Sequence, residues 1–386
     1  MLLLAAMITV MASTRATQFE ERTLADDLTG GYQAVACDVN GDGKLDIIAL
    51  ASDMPDLVWF ENPIWERHVM AHNLHGMINL ACWNKTPHSV PEVVVAYGFS
   101  MNPRESAGIV SVLTPDGDPH RPWKVREIDR LPASHRLRWA DIDGTGNKVV
   151  IDAPLAGADA QGPDYRGHVP LVYYVPGEWK RRLIGDDEQG IVHGIFVTDW
   201  DHDGRDEVLI GSFLGIHLYK FGRDGKWSRT EIAKGSPKPW PKSGTSDIAV
   251  GHNGGERFLA AIEPWHGNEV VVYRNRGGVW NREVVDDTLL DAHTIECVDL
   301  DGDGRDEIVA GFRGKPYGVN VYRWNAGKWS REILDRGTVS AAGCAIADLE
   351  GNGRPDIVGI GQATHNLKLW RNELATHPHG WRRQAE

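Results

Sequence analysis

The chain has little positive charge, which narrows the classes of partner that it can bind. Among its 386 residues, 54 acidic side chains outnumber 41 Lys and Arg, and the formal net charge is -13 at pH 7. A field of this sign repels phosphate backbones, so we expect no nucleic-acid partner. A neutral carbohydrate, a cation or another small organic molecule is compatible with this charge.

Long apolar runs are almost absent. The exception covers residues 2–12 and is followed by Ser13, Thr14, Arg15 and the small residue Ala16. This run is too short to span a bilayer in a mature protein, and its composition is typical of a signal peptide that is cleaved after Ala16. The sequence therefore predicts a signal peptide over residues 1–16, a domain over residues 17–386, and a secreted or periplasmic protein without a membrane span.

Cysteine is scarce as well. The four cysteines, Cys37, Cys82, Cys297 and Cys344, fall in four different repeats, each on a predicted inner strand. Export permits disulfides, but these positions lack any paired spacing. We therefore expect buried free thiols.

The motifs of several enzyme classes are also missing. The sequence contains no Gly-x-Ser-x-Gly elbow, no placed Cys–His pair and no nucleotide-binding glycine pattern, so nucleophilic and nucleotide-dependent chemistry has little support. No stretch shows sustained helical periodicity, which favours an all-β fold.

The chain does contain an Asp-rich loop that recurs between short apolar strands. Its copies begin at Asp38, Asp199, Asp299 and Asp348, with a worn copy at Asp141. Each repeat reads as four short strands punctuated by Gly and Asp, and a period of roughly 50 residues is typical of a β-propeller blade.

A second motif, Trp-x-Arg, marks the fourth strand and counts the blades. Five copies begin at Trp65, Trp179, Trp227, Trp280 and Trp329, and a sixth, with one additional residue before its arginine, begins at Trp123. A seventh inner unit covers residues 341–372. An orphan fourth strand over residues 19–24 would complete that unit and hide both sheet edges, although Trp381 competes for the same place. The sequence predicts an all-β, seven-bladed β-propeller of four-stranded antiparallel blades, closed by its N-terminal strand.

The Asp loops present oxygen ligands at alternate positions around a glycine turn, a pattern that suits calcium or magnesium. The alternative is that these side chains only form turns by bonding their own backbone. The candidate ligands for structural calcium are Asp38, Asn40, Asp42, Asp46, Asp199, Asp201, Asp203, Glu207, Asp299, Asp301, Asp303, Glu307, Asp348, Glu350, Asn352 and Asp356.

Histidines recur at the other end of the inner strands. His135, His193 and His293 each stand six residues before the first Asp of a loop, and His75 occupies a similar place in the second repeat. A lone histidine there usually caps backbone groups. Because four repeats carry one, we expect these imidazoles to ring a single axial funnel and to form a functional site.

The loops that open on the same face carry further polar and aromatic residues, on which sites are commonly built. As metal ligands we predict His135, His193, His293, Glu263 and His266. As catalytic residues we predict His75, His135, His193, Tyr317 and Lys315. As substrate contacts we predict Arg313, Trp265, Tyr165, Arg104 and His365. Imidazoles with a carboxylate suit a divalent transition metal, with zinc as the first choice.

The repeats resemble those of FG-GAP or VCBS β-propellers. Four motifs, which begin at His135, Ala153, His193 and Glu263, are more narrowly similar to the propeller domain of aldos-2-ulose dehydratases, which also act on 1,5-anhydro-D-fructose. That resemblance covers nearly the whole chain after residue 16. It implies a metal site in the propeller and the elimination of water from a keto-sugar.

The sequence thus supports a metal-dependent carbon–oxygen lyase for a keto-sugar or a related carbohydrate. The alternative is a non-catalytic, calcium-stabilised module that binds carbohydrate or protein, in which the funnel histidines would be incidental. The oligomeric state is not predicted.

Overall fold

The computed structural model describes residues 18–374, and these form 28 strands in seven four-stranded antiparallel sheets. The predicted all-β, seven-bladed propeller is confirmed. Predictions that concern the signal peptide and Trp381 lie outside the described residues.

The first three blades follow in chain order after strand β1, Phe19–Ala25. Blade 1 contains β2 Gly31–Cys37, β3 Asp46–Ala51, β4 Leu57–Glu61 and β5 Glu66–Ala71. Blade 2 contains β6 Asn79–Trp83, β7 Glu92–Tyr97, β8 Ile109–Thr114 and β9 Lys124–Arg130. Blade 3 contains β10 Ser134–Ala140, β11 Val149–Pro154, β12 His168–Tyr174 and β13 Arg181–Gln189.

The remaining blades repeat this order. Blade 4 contains β14 Val192–Thr198, β15 Glu207–Ser212, β16 Gly215–Phe221 and β17 Trp227–Ala233. Blade 5 contains β18 Ile248–Asn253, β19 Glu256–Glu263, β20 Glu269–Arg276 and β21 Val279–Asp286. Blade 6 contains β22 Ala292–Val298, β23 Glu307–Phe312, β24 Gly318–Asn325 and β25 Lys328–Asp335. Blade 7 contains β26 Ala341–Ala347, β27 Asp356–Gly361 and β28 Leu367–Asn372.

Strand β1 closes the ring, as the sequence predicts. It pairs antiparallel with β28, where Phe19 faces Asn372 and Thr23 faces Lys368. The two ends of the described chain therefore share one sheet, and neither β1 nor β28 is left as an open edge.

The first strand of every blade contacts the first strands of both neighbouring blades, so these seven strands surround the axis. The second strands β3, β15, β23 and β27 are buried along their whole length, whereas the fourth strands β9 and β17 are largely exposed. The apolar cores thus lie between the faces of adjacent blades, as in other stacked sheets.

The arginine of the Trp-x-Arg motif joins neighbouring blades. In four blades its guanidinium contacts an acid on, or just after, the outer strand of the preceding blade. These pairs are Arg67–Asp27 at 2.7 Å, Arg181–Asp129 at 2.7 Å, Arg229–Glu188 at 2.9 Å and Arg331–Asp286 at 3.0 Å. The motif therefore serves packing between blades.

The prediction of free thiols is wrong for one pair of cysteines. Cys37 at the end of β2 and Cys82 in β6 form a disulfide, with their Cα atoms 6.4 Å apart. The first strands of blades 1 and 2 are neighbours around the axis, and sequence spacing does not report that proximity. Cys297 and Cys344 are free, as predicted. The described residues contain no helix that could cross a membrane.

Candidate active site

Three predicted histidines lie together because each is the second residue of a first strand. His135 stands in β10, His193 in β14 and His293 in β22, and all three are buried. The ring centroids of His135 and His193 are 5.1 Å apart, and those of His193 and His293 are 4.9 Å apart. The repeat register therefore gathers side chains that are distant in the chain.

His266 completes the group from the loop between β19 and β20. Its ring centroid lies 5.1 Å from those of both His193 and His293. One nitrogen from each of His193, His266 and His293 lies within 4.8 Å of the others, which is close enough to share a metal ion. We call His135, His193, His266 and His293 the imidazole cluster.

A chain of hydrogen bonds fixes the protons in part of this cluster. The carbonyl oxygen of Ala342 can only accept, so Nδ1 of His293, 2.5 Å away, donates to it. The Nε2 of His293 then accepts from the Tyr32 hydroxyl at 3.3 Å, and the Tyr32 oxygen accepts from Nε2 of His135 at 3.1 Å. Nδ1 of His135 is left with a lone pair, and it has no hydrogen-bond partner within residues 18–374.

Two guanidinium groups flank the cluster. Nη2 of Arg136 lies 3.1 Å from Nε2 of His193, and its Nε donates to the His193 carbonyl at 2.9 Å. Nη2 of Arg313 lies 3.1 Å from Nδ1 of His266 and also donates to Asp291 at 3.1 Å. The site therefore combines uncharged bases with fixed positive charge.

Burial keeps all four imidazoles neutral. Desolvation is the main cause that lowers the pKa of each well below the ordinary 6.5. The charge of Arg136 lowers the pKa of His135 and His193 further, and the charge of Arg313 does the same for His266 and His293. Neutral imidazoles can take up a proton or bind a metal ion.

Aromatic rings form the outer wall. Phe99 lies 5.4 Å from His135, Trp265 lies 4.5 Å from His266, and Tyr165 packs edge-on against Trp265 at 5.8 Å, all between ring centroids. The His266 side chain is 26% exposed, so solvent reaches the cluster on that side.

Other predicted residues lie farther out. Lys315 is exposed, with its ammonium 6.0 Å from the Tyr317 ring centroid. Arg104 is exposed beside Asp159, and Nδ1 of His365 accepts from the Gly30 amide at 3.3 Å. His75 is exposed and lies four residues before β6 begins, so the structure does not bring it into the cluster.

Glu263 is buried beside other partners than the imidazoles. Its carboxylate accepts from Arg282 Nε at 2.8 Å, from Thr245 Oγ1 at 3.2 Å and from the hydroxyl of Tyr273. These three donors hold the carboxylate within blade 5, and Glu263 is not part of the group of possible ligands formed by His193, His266 and His293. The predicted carboxylate ligand is therefore not supplied by this residue.

The Asp loops lie at the opposite end of the first strands, on what we call the Asp-loop face. The loop carboxylates of blades 4 and 6 converge, within 4.8 Å in each case: Asp199, Asp201 and Asp203, and Asp299, Asp301 and Asp303. In blade 4 the ammonium of Lys220 contacts Asp203 at 3.1 Å and Glu207 at 3.0 Å. In blade 6 the guanidinium of Arg323 contacts Asp301 at 3.3 Å and Glu307 at 3.2 Å. In each of these two loops, one side-chain cation thus already offsets part of the negative charge.

The loops also act as turn formers. Asp38 accepts from the amides of Gly41 and Gly43 at 2.8 and 2.9 Å, and Asp46 accepts from the amides of Val39 and Asn62, both at 2.9 Å. Asp356 in blade 7 has the same pattern, with the amides of Leu349 and Asn372 as donors. Calcium in these loops stays a prediction.

The sequence reasoning missed four contributors to the cluster. They are Tyr32, Arg136, Asp291 and Ser246, whose Oγ lies 3.3 Å from Nδ1 of His193. Two could have been found, because Tyr32 occupies in blade 1 the same repeat position as the histidines and Arg136 directly follows His135. No pattern in the sequence indicates the other two.

Sequence comparison relates parts of the chain to two known families. Residues 107–276 match the family of the aldos-2-ulose dehydratase β-propeller domain, and residues 299–359 match an FG-GAP-like repeat. The aldos-2-ulose dehydratase of Phanerodontia chrysosporium is 27% identical over 264 residues. This match covers 59% of the chain but only 28% of that relative, so the chain spans less than a third of its length.

The predicted resemblance is confirmed. The chain is a seven-bladed propeller that contains an FG-GAP-like repeat and resembles the aldos-2-ulose dehydratase propeller domain. The family match to that domain lies in the central part of the chain, whereas the sequence predicts a resemblance over nearly all of it. His135, His193 and His266 lie inside the matched residues 107–276, whereas His293 lies beyond them.

Solved structures share the fold. BBS1N in its complex with ARL6DN aligns with a TM-score of 0.58 at 12% identity, over 91% of this chain and 95% of that one. A 6-phosphogluconolactonase candidate from Bacteroides uniformis aligns with a TM-score of 0.55 at 14% identity, over 92% and 96%. At such identities the likeness concerns the propeller fold alone.

Proposed function

We propose that this protein is a carbon–oxygen lyase that removes water, or another oxygen leaving group, from a keto-sugar or a related carbohydrate. The observation that carries the proposal is the imidazole cluster, a buried group of neutral bases between two guanidinium groups. The distant relationship to an aldos-2-ulose dehydratase supports the same reaction class.

The cluster suits a divalent transition metal, with zinc as the first choice. His193, His266 and His293 would hold it, since three neutral imidazoles with converging nitrogens are a common ligand set for a catalytic metal. Bound there, such an ion supplies a Lewis acid that polarises a carbonyl oxygen. Arg136, Arg313 and Tyr32 would have to give up their contacts with His193, His266 and His293 respectively, and the two guanidinium groups could then face the substrate.

His135 is the best-placed general base. Its Nδ1 has a lone pair and no partner in the described structure, and its lowered pKa keeps it unprotonated at neutral pH. A ketone acidifies the neighbouring C–H bond, and Nδ1 would accept that proton. General-base help of this kind typically contributes about 10²–10⁴-fold to the rate.

The guanidinium groups would stabilise the negative charge that develops. When the C–H bond breaks, its electron pair moves towards the carbonyl oxygen, and fixed donors in a dry site stabilise an oxyanion strongly. The burial of Arg136 and the near burial of Arg313 support this role, because both charges are fixed beside the imidazole cluster.

The leaving group needs a proton. As the enolate collapses, the C=C bond forms, the C–O bond breaks, and the departing hydroxyl takes a proton to leave as water. Tyr32, within hydrogen-bond distance of His135, is the acid closest to the base, whereas Tyr317 and Lys315 would serve from the rim. The disulfide between Cys37 and Cys82 supports the accompanying proposal of a secreted or periplasmic enzyme.

The test is turnover of 1,5-anhydro-D-fructose and of 3-keto-glycosides, followed through the ultraviolet absorbance of the enone product. Wild-type protein is expected to form the product, and His193→Ala and His293→Ala to lose turnover together with the metal ion bound by the imidazole cluster. The matched control is His72→Ala, which removes an exposed imidazole. Retention of metal and of an unchanged rate in His193→Ala, with the fold intact by circular dichroism, would favour a non-catalytic binding module.

A further inference from the structure

We propose a second metal site, formed by Glu61, His68 and His120, that takes a divalent transition cation at the junction of blades 1 and 2. The site does not depend on the proposed function, because it lies on the Asp-loop face, at the opposite end of the propeller from the imidazole cluster.

The ligand atoms already converge. One atom from each of Glu61, His68 and His120 lies within 4.8 Å of the others. Nε2 of His68 is 3.0 Å from one Glu61 oxygen, and Nε2 of His120 is 3.4 Å from the other. Two imidazoles and one carboxylate are a ligand set that suits zinc and similar metals.

Comparison of the repeats shows that blade 1 departs from blades 4, 6 and 7 at this point. In blades 4, 6 and 7, an aromatic residue of the third strand pairs with the second strand. The next residue in each blade is a cation whose side chain contacts the Asp loop: Lys220, Arg323 and Arg371. In blade 1 the same register puts Phe60 opposite Ile47 and Glu61 after it. The internal cation of the other loops is thus replaced by a carboxylate.

That carboxylate adds negative charge beside an acidic loop. Nδ2 of Asn40 donates to Glu61 at 3.0 Å, so Glu61 is in contact with the blade 1 loop that also contains Asp38 and Asp42. A bound cation would restore the neutralisation that Lys220 and Arg323 provide elsewhere.

The surroundings orient both imidazoles. Nδ1 of His120 donates to Asp118 at 2.9 Å, so Nε2 is the nitrogen that faces Glu61, and a metal ion bound there would take the place of the proton on Nε2. The ring of His68 stacks on Trp59, with centroids 4.6 Å apart and planes 29° apart. A carboxylate behind a metal-binding histidine is the usual arrangement that fixes its tautomer and raises its basicity.

The site would fasten two blades together. Glu61 and His68 belong to blade 1, and His120 belongs to the loop between β8 and β9 of blade 2. The disulfide Cys37–Cys82 joins the same two blades, and Nδ2 of Asn84 donates to the Asp38 carbonyl at 2.7 Å. Blade 2 lacks an Asp loop, and these links add to the apolar core that it shares with blade 1.

The experiment measures bound zinc per chain by elemental analysis, after metal-free protein is loaded with zinc in excess calcium and dialysed. It compares wild type, His120→Ala, His193→Ala and the double variant. We expect two zinc ions in wild type, one in each single variant and none in the double variant. Removal of His120 should weaken this site by at least the about 10–100-fold that the loss of a supporting partner costs. The side chain of His120 is 40% exposed, so its truncation is compatible with folding.

Two comparisons make the result decisive. Zinc should raise the melting temperature of His193→Ala, in which this site is intact, but not that of the double variant, because only a ligand of the folded state stabilises it. Glu61→Gln should reproduce His120→Ala, and His72→Ala should match wild type. Equal zinc content in wild type and His120→Ala would overturn the proposal. One zinc in wild type and none in His120→Ala would instead support this site and contradict the metal in the imidazole cluster.

Discussion

The two ends of the propeller use ionisable side chains in opposite ways. At the axial end, three fully buried imidazoles and the partly exposed His266 are held neutral, and the cluster has at least one free lone pair. At the Asp-loop end, carboxylates are saturated by backbone amides and, in blades 4 and 6, by a lysine or an arginine. The candidate site therefore contains a basic nitrogen without a hydrogen-bond partner among the described residues, whereas the carboxylates of the scaffold contact amides and cations of the same chain.

The contrast also separates repetition from function. The Asp loops and the Trp-x-Arg pairs recur because each blade must pack on the next, so their residues follow the period. In the imidazole cluster, the repeat brings His135, His193 and His293 to one place. The fourth member, His266, comes from a variable loop. Function in a repeat protein is thus expected where equivalent positions converge and the loops differ.

The largest expected effect is on the turnover number and comes from a substitution at the axial end alone. His135→Gln keeps a hydrogen-bonding side chain near Tyr32 but removes the base, so the turnover number should fall about 10²–10⁴-fold. The melting temperature should change little. Steady-state kinetics on the keto-sugar substrates check this result, with His72→Gln as the control, and an unchanged turnover number would assign the proton transfer to another residue.

A second prediction concerns the scaffold. Cys82→Ser removes the disulfide that joins blades 1 and 2, and loss of such a bond typically costs about 2–4 kcal/mol of unfolding free energy. Denaturant unfolding measures the cost, while the turnover number should stay near that of wild type. Cys344→Ser, which alters a free thiol, is the comparison. Equal stability of the two variants would contradict the linkage of the blades.

The pH dependence of stability gives a third test, in metal-free protein. The imidazoles have depressed pKa values when folded and regain the ordinary value near 6.5 when unfolded, so the unfolded state binds more protons below pH 6.5. The stability that they contribute is full above that pH and is lost as the pH falls. Asp152, whose pKa burial raises to about 7, acts in the opposite sense.

Because the imidazoles and Asp152 act in opposite directions, the informative quantity is the difference in melting temperature between wild type and a histidine variant. The melting temperature of wild type should fall more steeply from pH 7 to pH 5 than that of His193→Gln, which has one depressed imidazole fewer. Parallel curves for the two proteins would show that His193 is not held neutral by the fold.

The smallest expected effect lies in the Asp loop of blade 4. Lys220→Gln leaves Asp201, Asp203 and Glu207 without their ammonium, at a cost of about 1 kcal/mol for a partly exposed pair. Millimolar calcium should restore the melting temperature of this variant and affect the exposed control Lys226→Gln less. A variant that is destabilised and does not respond to calcium would show that the loop is no cation site.

The fold could be predicted because the repeat leaves its signal many times. The Asp loops, the six Trp-x-Arg strands and the orphan strand of residues 19–24 fix the blade count and the closure. Within the site, the offset from the Asp loop correctly related His135, His193 and His293, because a fixed offset on equivalent strands means an equivalent place in space.

The misses have physical reasons too. The position of His75 could not be predicted, because blade 2 has no Asp loop from which to count the offset. His75 lies before strand β6 begins. The sequence predicts Glu263 as a metal ligand, yet in the folded chain Arg282 and Tyr273 donate hydrogen bonds to its carboxylate. The disulfide and the internal cation Lys220 depend on contacts between strands, which no spacing along the chain encodes.

The most direct measurement is hydrogen exchange at the carbon next to the substrate carbonyl. Wild-type protein and His135→Gln are incubated with 1,5-anhydro-D-fructose in deuterated buffer and followed by NMR. If neutral imidazoles at the axial end remove that proton, wild type will accelerate deuterium incorporation or elimination above the rate in buffer, and the variant will do so at least about 100-fold more slowly. Equal rates for wild type, variant and buffer would contradict the account.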